Sequence, residues 1–342
     1  MSSNLFRKLI DPKLPSAAVG LAGEGAGVVS LDRRRGQFAI KRAGYVPLPE
    51  GLLRPGFDEG NVPDTAELAD TLGELVTSVG LSNRHRWSVA LPEAATHTSV
   101  LTLESVPASR QEREEMLSWK AERAIGVPLD EMQVGRDELR PDSQGRPRYL
   151  VTATRLSVLA EYEEVFAALG WHAGLILPRH VGEAWWLLKD GGDARRPASR
   201  DSLLVSSHRE GFTAVVVRGG EPLLVRNVAC EAEDRGDELY RFLLFYRDRN
   251  LPPAAALGDV ATALGHEPHV VSAPVASGET IERLLVAGHG LDPLEASAII
   301  SETLSSAPRL LAAADVQLAL PTSELDFNQI AAPAGLAALA WA

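Results

Sequence analysis

Four short stretches bring together residue types that could do chemistry. Gly23-Glu-Gly-Ala-Gly27 is glycine-rich, yet it lacks the third glycine of a dinucleotide fingerprint and no helix follows it. His266-Glu-Pro-His269 has the spacing of two metal ligands, but its proline and the want of further ligands make it a loop. Arg33-Arg-Arg-Gly36 is a cationic turn that could meet phosphate or acidic lipid; a solvated turn is the simpler reading. Cys230 is the only cysteine, so no internal disulfide can form. No obvious base accompanies it, and it reads as a small buried residue rather than a nucleophile. None of the four defines an active site unaided.

The chain that must position them has 342 residues, enough for two domains. Hydrophobic residues make up 45%, so a core is available and wholesale disorder is excluded. The balance of 34 basic against 46 acidic residues gives −12, which argues against a sequence-independent nucleic-acid binder. The first ten residues lack the apolar core of a signal peptide, and no apolar run approaches a membrane span. A cytoplasmic chain is expected.

Taken in order, residues 17–42 read as a three-strand meander with glycine-marked turns. Asp64 and Glu67 open a helix that presents Leu68, Leu72, Leu75, Val76 and Val79 and stops at Gly80. A strand at 87–91 ends at Pro92. There follow a strand at 99–103, a helix announced by the capping box Ser109-Arg-Gln-Glu112, a segment at 132–134 and a closing strand at 148–154. A further helix carries Leu159, Tyr162, Val165, Phe166 and Leu169, with Gly170 at its C′ position. A short strand and a buried helix at 183–188 precede a polar linker at 189–200. A second meander, at 203–225, leads to a helix at about 237–248; residues 251–278 read as irregular. The strand at 281–287 enters Gly288-His-Gly290. A helix at 294–304 and an Ala-rich helix at 333–341 end the chain.

Two halves with matching meanders describe a duplicated domain with a cleft between them, and this resembles the actin and Hsp70 nucleotide-binding fold. Several runs look like the PilM-type pilus assembly proteins: Gly51-Leu-Leu-Arg-Pro-Gly56, Ser88-Val-Ala-Leu-Pro92 and Glu122-Arg-Ala-Ile-Gly-Val-Pro-Leu-Asp-Glu131. So do Arg148-Tyr-Leu-Val-Thr-Ala-Thr-Arg155, Ala168-Leu-Gly170 and Glu238-Leu-Tyr-Arg-Phe-Leu-Leu-Phe-Tyr246. The fold expected is α/β: an actin/Hsp70-like duplicated two-domain fold, with an inserted α/β subdomain in the first half and a truncated second half. Residues 1–92 and 148–190 would form the first subdomain, 93–147 the inserted partner-binding subdomain, and 201–342 the reduced second domain.

The resemblance implies ATP held between the halves by glycine-turn amides, with carboxylates for Mg²⁺ or water. The corresponding positions are Gly23, Gly25 and Gly27, then Ser206 and His208, then Gly288 and Gly290. This chain departs from the pattern at each. Ala22 stands at the family's Asp position, Ser206 and His208 replace an Asp and a Gly, and His289 replaces a middle Gly. Only residues 227–236 stand where the family carries a covering subdomain. The expectation is that ATP and Mg²⁺ are not bound and the chain is not an enzyme. The alternative is an active actin-like ATPase, with Asp32, Asp201 or Glu210 facing the cleft.

By resemblance the chain is a scaffold of the inner-membrane assembly platform of a type IV pilus or related type II secretion machine. It would bind the short cytoplasmic tail of a PilN-like single-pass membrane protein, and also other platform proteins and the motor ATPase. It would not bind nucleic acid, and it would reach the membrane only through partners. The tail-binding groove is expected beside Val100, Leu101 and Leu103, with Trp119 and Arg123 as contacts.

Overall fold

Three glycine-punctuated strands start each half of the molecule. The computed structural model describes residues 14–34, 37–142, 144–188, 201–250, 280–320 and 325–341; the 189–200 linker, the 251–278 segment and the His266/His269 pair lie outside them. In the first half, β1 (Ala17–Ala22), β2 (Gly25–Arg34) and β3 (Gln37–Pro47) form an antiparallel meander. The strands β4 (Arg86–Leu91) and β8 (His172–Pro178) add in parallel beside β1. In the second half, β9 (Asp201–His208), β10 (Gly211–Arg218) and β11 (Glu221–Ala229) repeat the meander, and β12 (Ile281–Gly288) and β13 (Arg309–Leu310) add in parallel beside β9. The orders β3-β2-β1-β4-β8 and β11-β10-β9-β12-β13 are one pattern used twice. Only residues 230–234 separate β11 from the next helix.

The inserted unit has a three-stranded sheet, ordered β5 (His97–Thr102), β7 (Arg148–Arg155), β6 (Met132–Leu139). Because β7 pairs with both neighbours, this unit runs to Arg155, beyond the boundary at 147 read from the sequence. Helix α2 (Arg110–Ile125) covers the sheet; Leu117 and Ala121 pack on Leu101, Leu103, Tyr149 and Val151. Ser109 Oγ accepts the Glu112 N–H at 3.1 Å, as a capping box requires. The Glu112 carboxylate, however, accepts from Ala108 N–H at 2.6 Å, one residue beyond the usual partner. In the first half, α1 (Thr65–Ser78) is capped by Asp64, which accepts the Glu67 N–H at 2.9 Å.

The remaining helices are α3 (Leu156–Ala168), α4 (Arg179–Leu188), α5 (Arg235–Asn250), α6 (Pro293–Leu304) and α7 (Phe327–Ala338). Helices α4 and α7 join the halves. One core cluster unites Ala18, Val29 and Phe38 of the first sheet with Leu204, Val215 and Leu285 of the second, through Trp186, Ile330 and Leu336. The sequence suggested that the last helix starts at Pro333, because proline favours a first turn. Instead Asp326 caps the helix and Pro333 lies inside it. The ring packs on Gly20, where a Cβ would sit 2.7 Å from the proline Cδ, and apolar burial on every side of α7 outweighs the missing hydrogen bond. The two-residue strand β14 (Leu318–Ala319) then pairs with β3, so the chain's last stretch rejoins the first half rather than the second domain.

Candidate functional site

Three turns converge where the halves face one another. The β1–β2 turn supplies Gly23 and Glu24, the β9–β10 turn Arg209 and Glu210, and the end of β12 Gly288, His289 and Gly290. Gly23, Glu24, Arg209, His289 and Gly290 of these turns line a cavity of about 370 Å³ together with Leu48, Glu50 and Arg235, while Glu210 and Gly288 lie outside its lining. Its walls are tied by this chain's own side chains. Arg235, 4% exposed, donates to the carbonyls of Gly290 (2.9 Å), His208 (2.6 Å) and Arg209 (3.1 Å). Gly290 has φ +90°, and a Cβ there would lie 1.8 Å from the Arg235 guanidinium, so only glycine fits. Arg209 reaches across to Glu50 at 2.6 Å, and Tyr45 Oη lies 3.4 Å from His289 Nε2.

Beneath the cavity lies a buried polar cluster. Pro92 ends β4, and Glu93 follows it into a short 3₁₀ turn with 2% exposure. Its carboxylate accepts from His180 N–H (2.5 Å), from His180 Nδ1 (2.8 Å to Oε2) and from Thr213 Oγ1 (2.8 Å). An ionised carboxylate can only accept, so Nδ1 carries the proton. Burial pushes the Glu93 carboxyl up, but the adjoining His180 and the Thr213 hydroxyl outweigh it and hold the pKa at about 2. Beside it, Arg179 donates to Glu183 at 2.7 Å and lies 3.7 Å from Glu24. Burial alone would lower the Arg179 pKa, but these carboxylates raise it. Burial next to Glu24 likewise raises the Tyr45 hydroxyl.

The expected phosphate-turn residues therefore have varied surroundings. Gly23 and Gly290 line the cavity, and Gly25 packs against the Tyr45 ring. Gly27 faces the Gln329 carbonyl of α7. The Ser206 hydroxyl is buried without a partner, and His208 pairs with Glu210 at 3.2 Å. Asp201 is fully buried and bound by Arg218 and the Tyr246 hydroxyl, while Asp32 lies 3.5 Å from Lys41. Among the described residues, no group of three or more His, Cys, Asp or Glu could hold a metal ion. Arg235 and Glu93 were missed by sequence reasoning. Only the acid directly behind a buried strand and a proline hinted at Glu93.

A second feature is a groove between the inserted unit and the first sheet. Ile176, Leu177 and Pro178 of β8 face Gln133 and Gly135 of β6 and Thr152 of β7, around a cavity of about 130 Å³. Both β8 and β6 are edge strands. The five residues expected at a groove are spread elsewhere. Val100 faces β11 across a cavity that also holds Arg148 and Leu223. Leu101 and Leu103 are in the subdomain core, and Trp119, 56% exposed, lies on α2 beneath the Arg123 guanidinium at 5.4 Å.

A duplicated meander-plus-parallel topology, joined by two crossing helices and carrying an inserted subdomain, defines an actin/Hsp70-like two-domain α/β protein. The chain has the fold of a chain in the solved structure described as the PilM-PilN type IV pilus biogenesis complex: 19% identity, 96% of this chain and 99% of that one, TM-score 0.68. A Bacteroides thetaiotaomicron protein described as having an actin-like ATPase fold and unknown function aligns over 94% of both chains, at 11% identity and TM-score 0.46. The cytoplasmic domain of Vibrio cholerae EpsL, an inner-membrane component of the type II secretion system, aligns over 65% of this chain and 74% of that one, at 13% identity and TM-score 0.39. No family model matches the chain, and no curated protein matches it. No helix among the described residues is long and apolar enough to cross a membrane.

Proposed function

We propose that this protein is a scaffold of the inner-membrane assembly platform of a type IV pilus or related type II secretion machine, acting by docking a partner segment rather than by ATP turnover. The groove between β8 and the β6–β7 face carries the reading. An extended peptide laid there gains main-chain hydrogen bonds from edge strands and seats its side chains against Ile176 and Leu177. The occupant is the short cytoplasmic tail of a PilN-like single-pass membrane protein, which recruits this chain to the inner membrane from the cytoplasmic side. The inter-domain cleft plays no nucleotide role in this reading. Arg235 binds the carbonyls of both second-half turns, and the carboxylates of Glu24 and Glu50 line the space where polyphosphate would have to sit.

The test is binding of a peptide copying the tail of the PilN-like protein encoded in the same genome. Ile176→Arg and Thr152→Arg, shown to fold by circular dichroism, should abolish binding. Trp119→Ala should retain it. Loss of binding in Trp119→Ala alone would move the site to the α2 face.

A further inference from the structure

The chain carries −12 overall, yet one end of the first sheet is cationic. The register sets Arg42 opposite Ser30 and Ser30 opposite Ala17, while Arg86 opens β4 beside His172 of β8. Arg84, in the loop before β4, adds a further charge. Two adjoining depressions of about 440 and 340 Å³ share Lys41, Arg42 and Gly80, and the second also has Arg84 and Asn83. Neither lining contains an aspartate or glutamate. Asp32 pairs with Lys41 at 3.5 Å. Lys41, Arg42, Arg84 and Arg86 are all exposed.

We infer that this end of the molecule is a docking face for an anionic phospholipid surface. A site for a free anion would surround it with buried donors, whereas here Lys41, Arg42 and Arg84 are exposed residues around two adjoining depressions. Such a layout matches a plane of phosphate headgroups, which rewards each adjacent cation separately. The C-terminus of α1, with its partial negative charge, flanks the first depression and disfavours a phosphate there. That places the headgroup contact at the Arg42–Arg84 side. Position also fits. β4 runs from Arg86 at this patch to Leu91 at the groove, a strand rise of about 17 Å. A chain resting here would hold its groove close to the membrane. This rests on the proposed membrane role and adds a direct contact to the one expected through partners.

The experiment is co-sedimentation of the full chain with vesicles and no partner peptide. Vesicles rich in phosphatidylglycerol should carry the protein down, and pure phosphatidylcholine should not, although net charge alone would predict repulsion from the former. Each cation is worth about 5-fold in partitioning, so Lys41→Gln, Arg42→Gln and Arg84→Gln together should weaken binding about 100-fold. Arg42→Lys with Arg84→Lys should keep it. Binding should vanish at 1 M salt, where the Debye length is about 3 Å. No binding at low salt, or equal binding by the triple variant, overturns the inference. Displacement by millimolar inorganic phosphate, or capture of polyglutamate without capture of vesicles, overturns it as well, assigning the patch to a free anion or an acidic peptide.

Discussion

Glu93→Ala should be one of the most damaging single changes in this protein. The carboxylate links three elements: the end of β4, the start of α4 through His180, and β10 of the second half through Thr213. Its removal leaves the His180 amide and the His180 ring N–H buried without an acceptor, and leaves the Thr213 hydroxyl only Asn227 Oδ1, at 3.4 Å. Each orphaned donor costs about 1–3 kcal/mol, and breaking a buried pair costs about 3–5 kcal/mol in all. Allowing for relaxation, a loss of about 4 kcal/mol is expected, a large share of the 5–15 kcal/mol typical of a domain. Acid gives a second handle. The Glu93 pKa falls from the ordinary 4.5 to about 2. A lowered carboxyl stabilises the fold above its unfolded pKa, so this contribution is complete above about pH 4.5 and is lost as the pH falls towards about 2. Urea unfolding at pH 7, 4.5 and 3 is the assay, with Glu93→Gln as the uncharged control. The wild type should lose stability between the last two values, and the Gln variant should lose less. A cost under 1 kcal/mol for Glu93→Ala, or parallel acid curves for wild type and Glu93→Gln, would refute this account of the junction.

Other predictions follow from the same contacts. Arg235→Met leaves three turn carbonyls without their donor and should cost about 2–4 kcal/mol, read from the shift of urea midpoint. Gly20→Ala should cost about 1–3 kcal/mol, because the new Cβ meets Pro333 of the inter-half helix; native-state hydrogen exchange should show α7 loosening. Thr213→Val removes one donor to Glu93 and should cost about 1 kcal/mol, with a coupling to Glu93→Gln in a double-mutant cycle.

Much of this fold was legible because local signals agreed with the global plan. Asp64 and Ser109 announce helices that they do cap, and glycine turns divide both meanders at the right places. Failures occurred where a distant partner overrode a local preference. Pro333 reads as a helix start until Gly20 offers its ring a seat. The strand at 148–155 reads as a return to the first domain until β5 and β6 both claim it. Of the cleft, the turn residues were visible, but the atoms that fill it were not. Glu93 lies 87 positions from His180 and 120 from Thr213, separations that leave no periodic trace. The strand at Val100 is an edge of its three-stranded sheet, and it faces β11 across a cavity that sequence does not announce.

The central claim is that partner docking at the groove, uncoupled from nucleotide, is what this protein does. Titration calorimetry of the tail peptide against the full chain, with and without Mg-ATP, tests it most directly. The account predicts a Kd near micromolar, about −8 kcal/mol, unchanged by Mg-ATP and lost in Ile176→Arg, with no heat from Mg-ATP alone. Micromolar Mg-ATP binding, or peptide binding that requires nucleotide or survives Ile176→Arg, would contradict it.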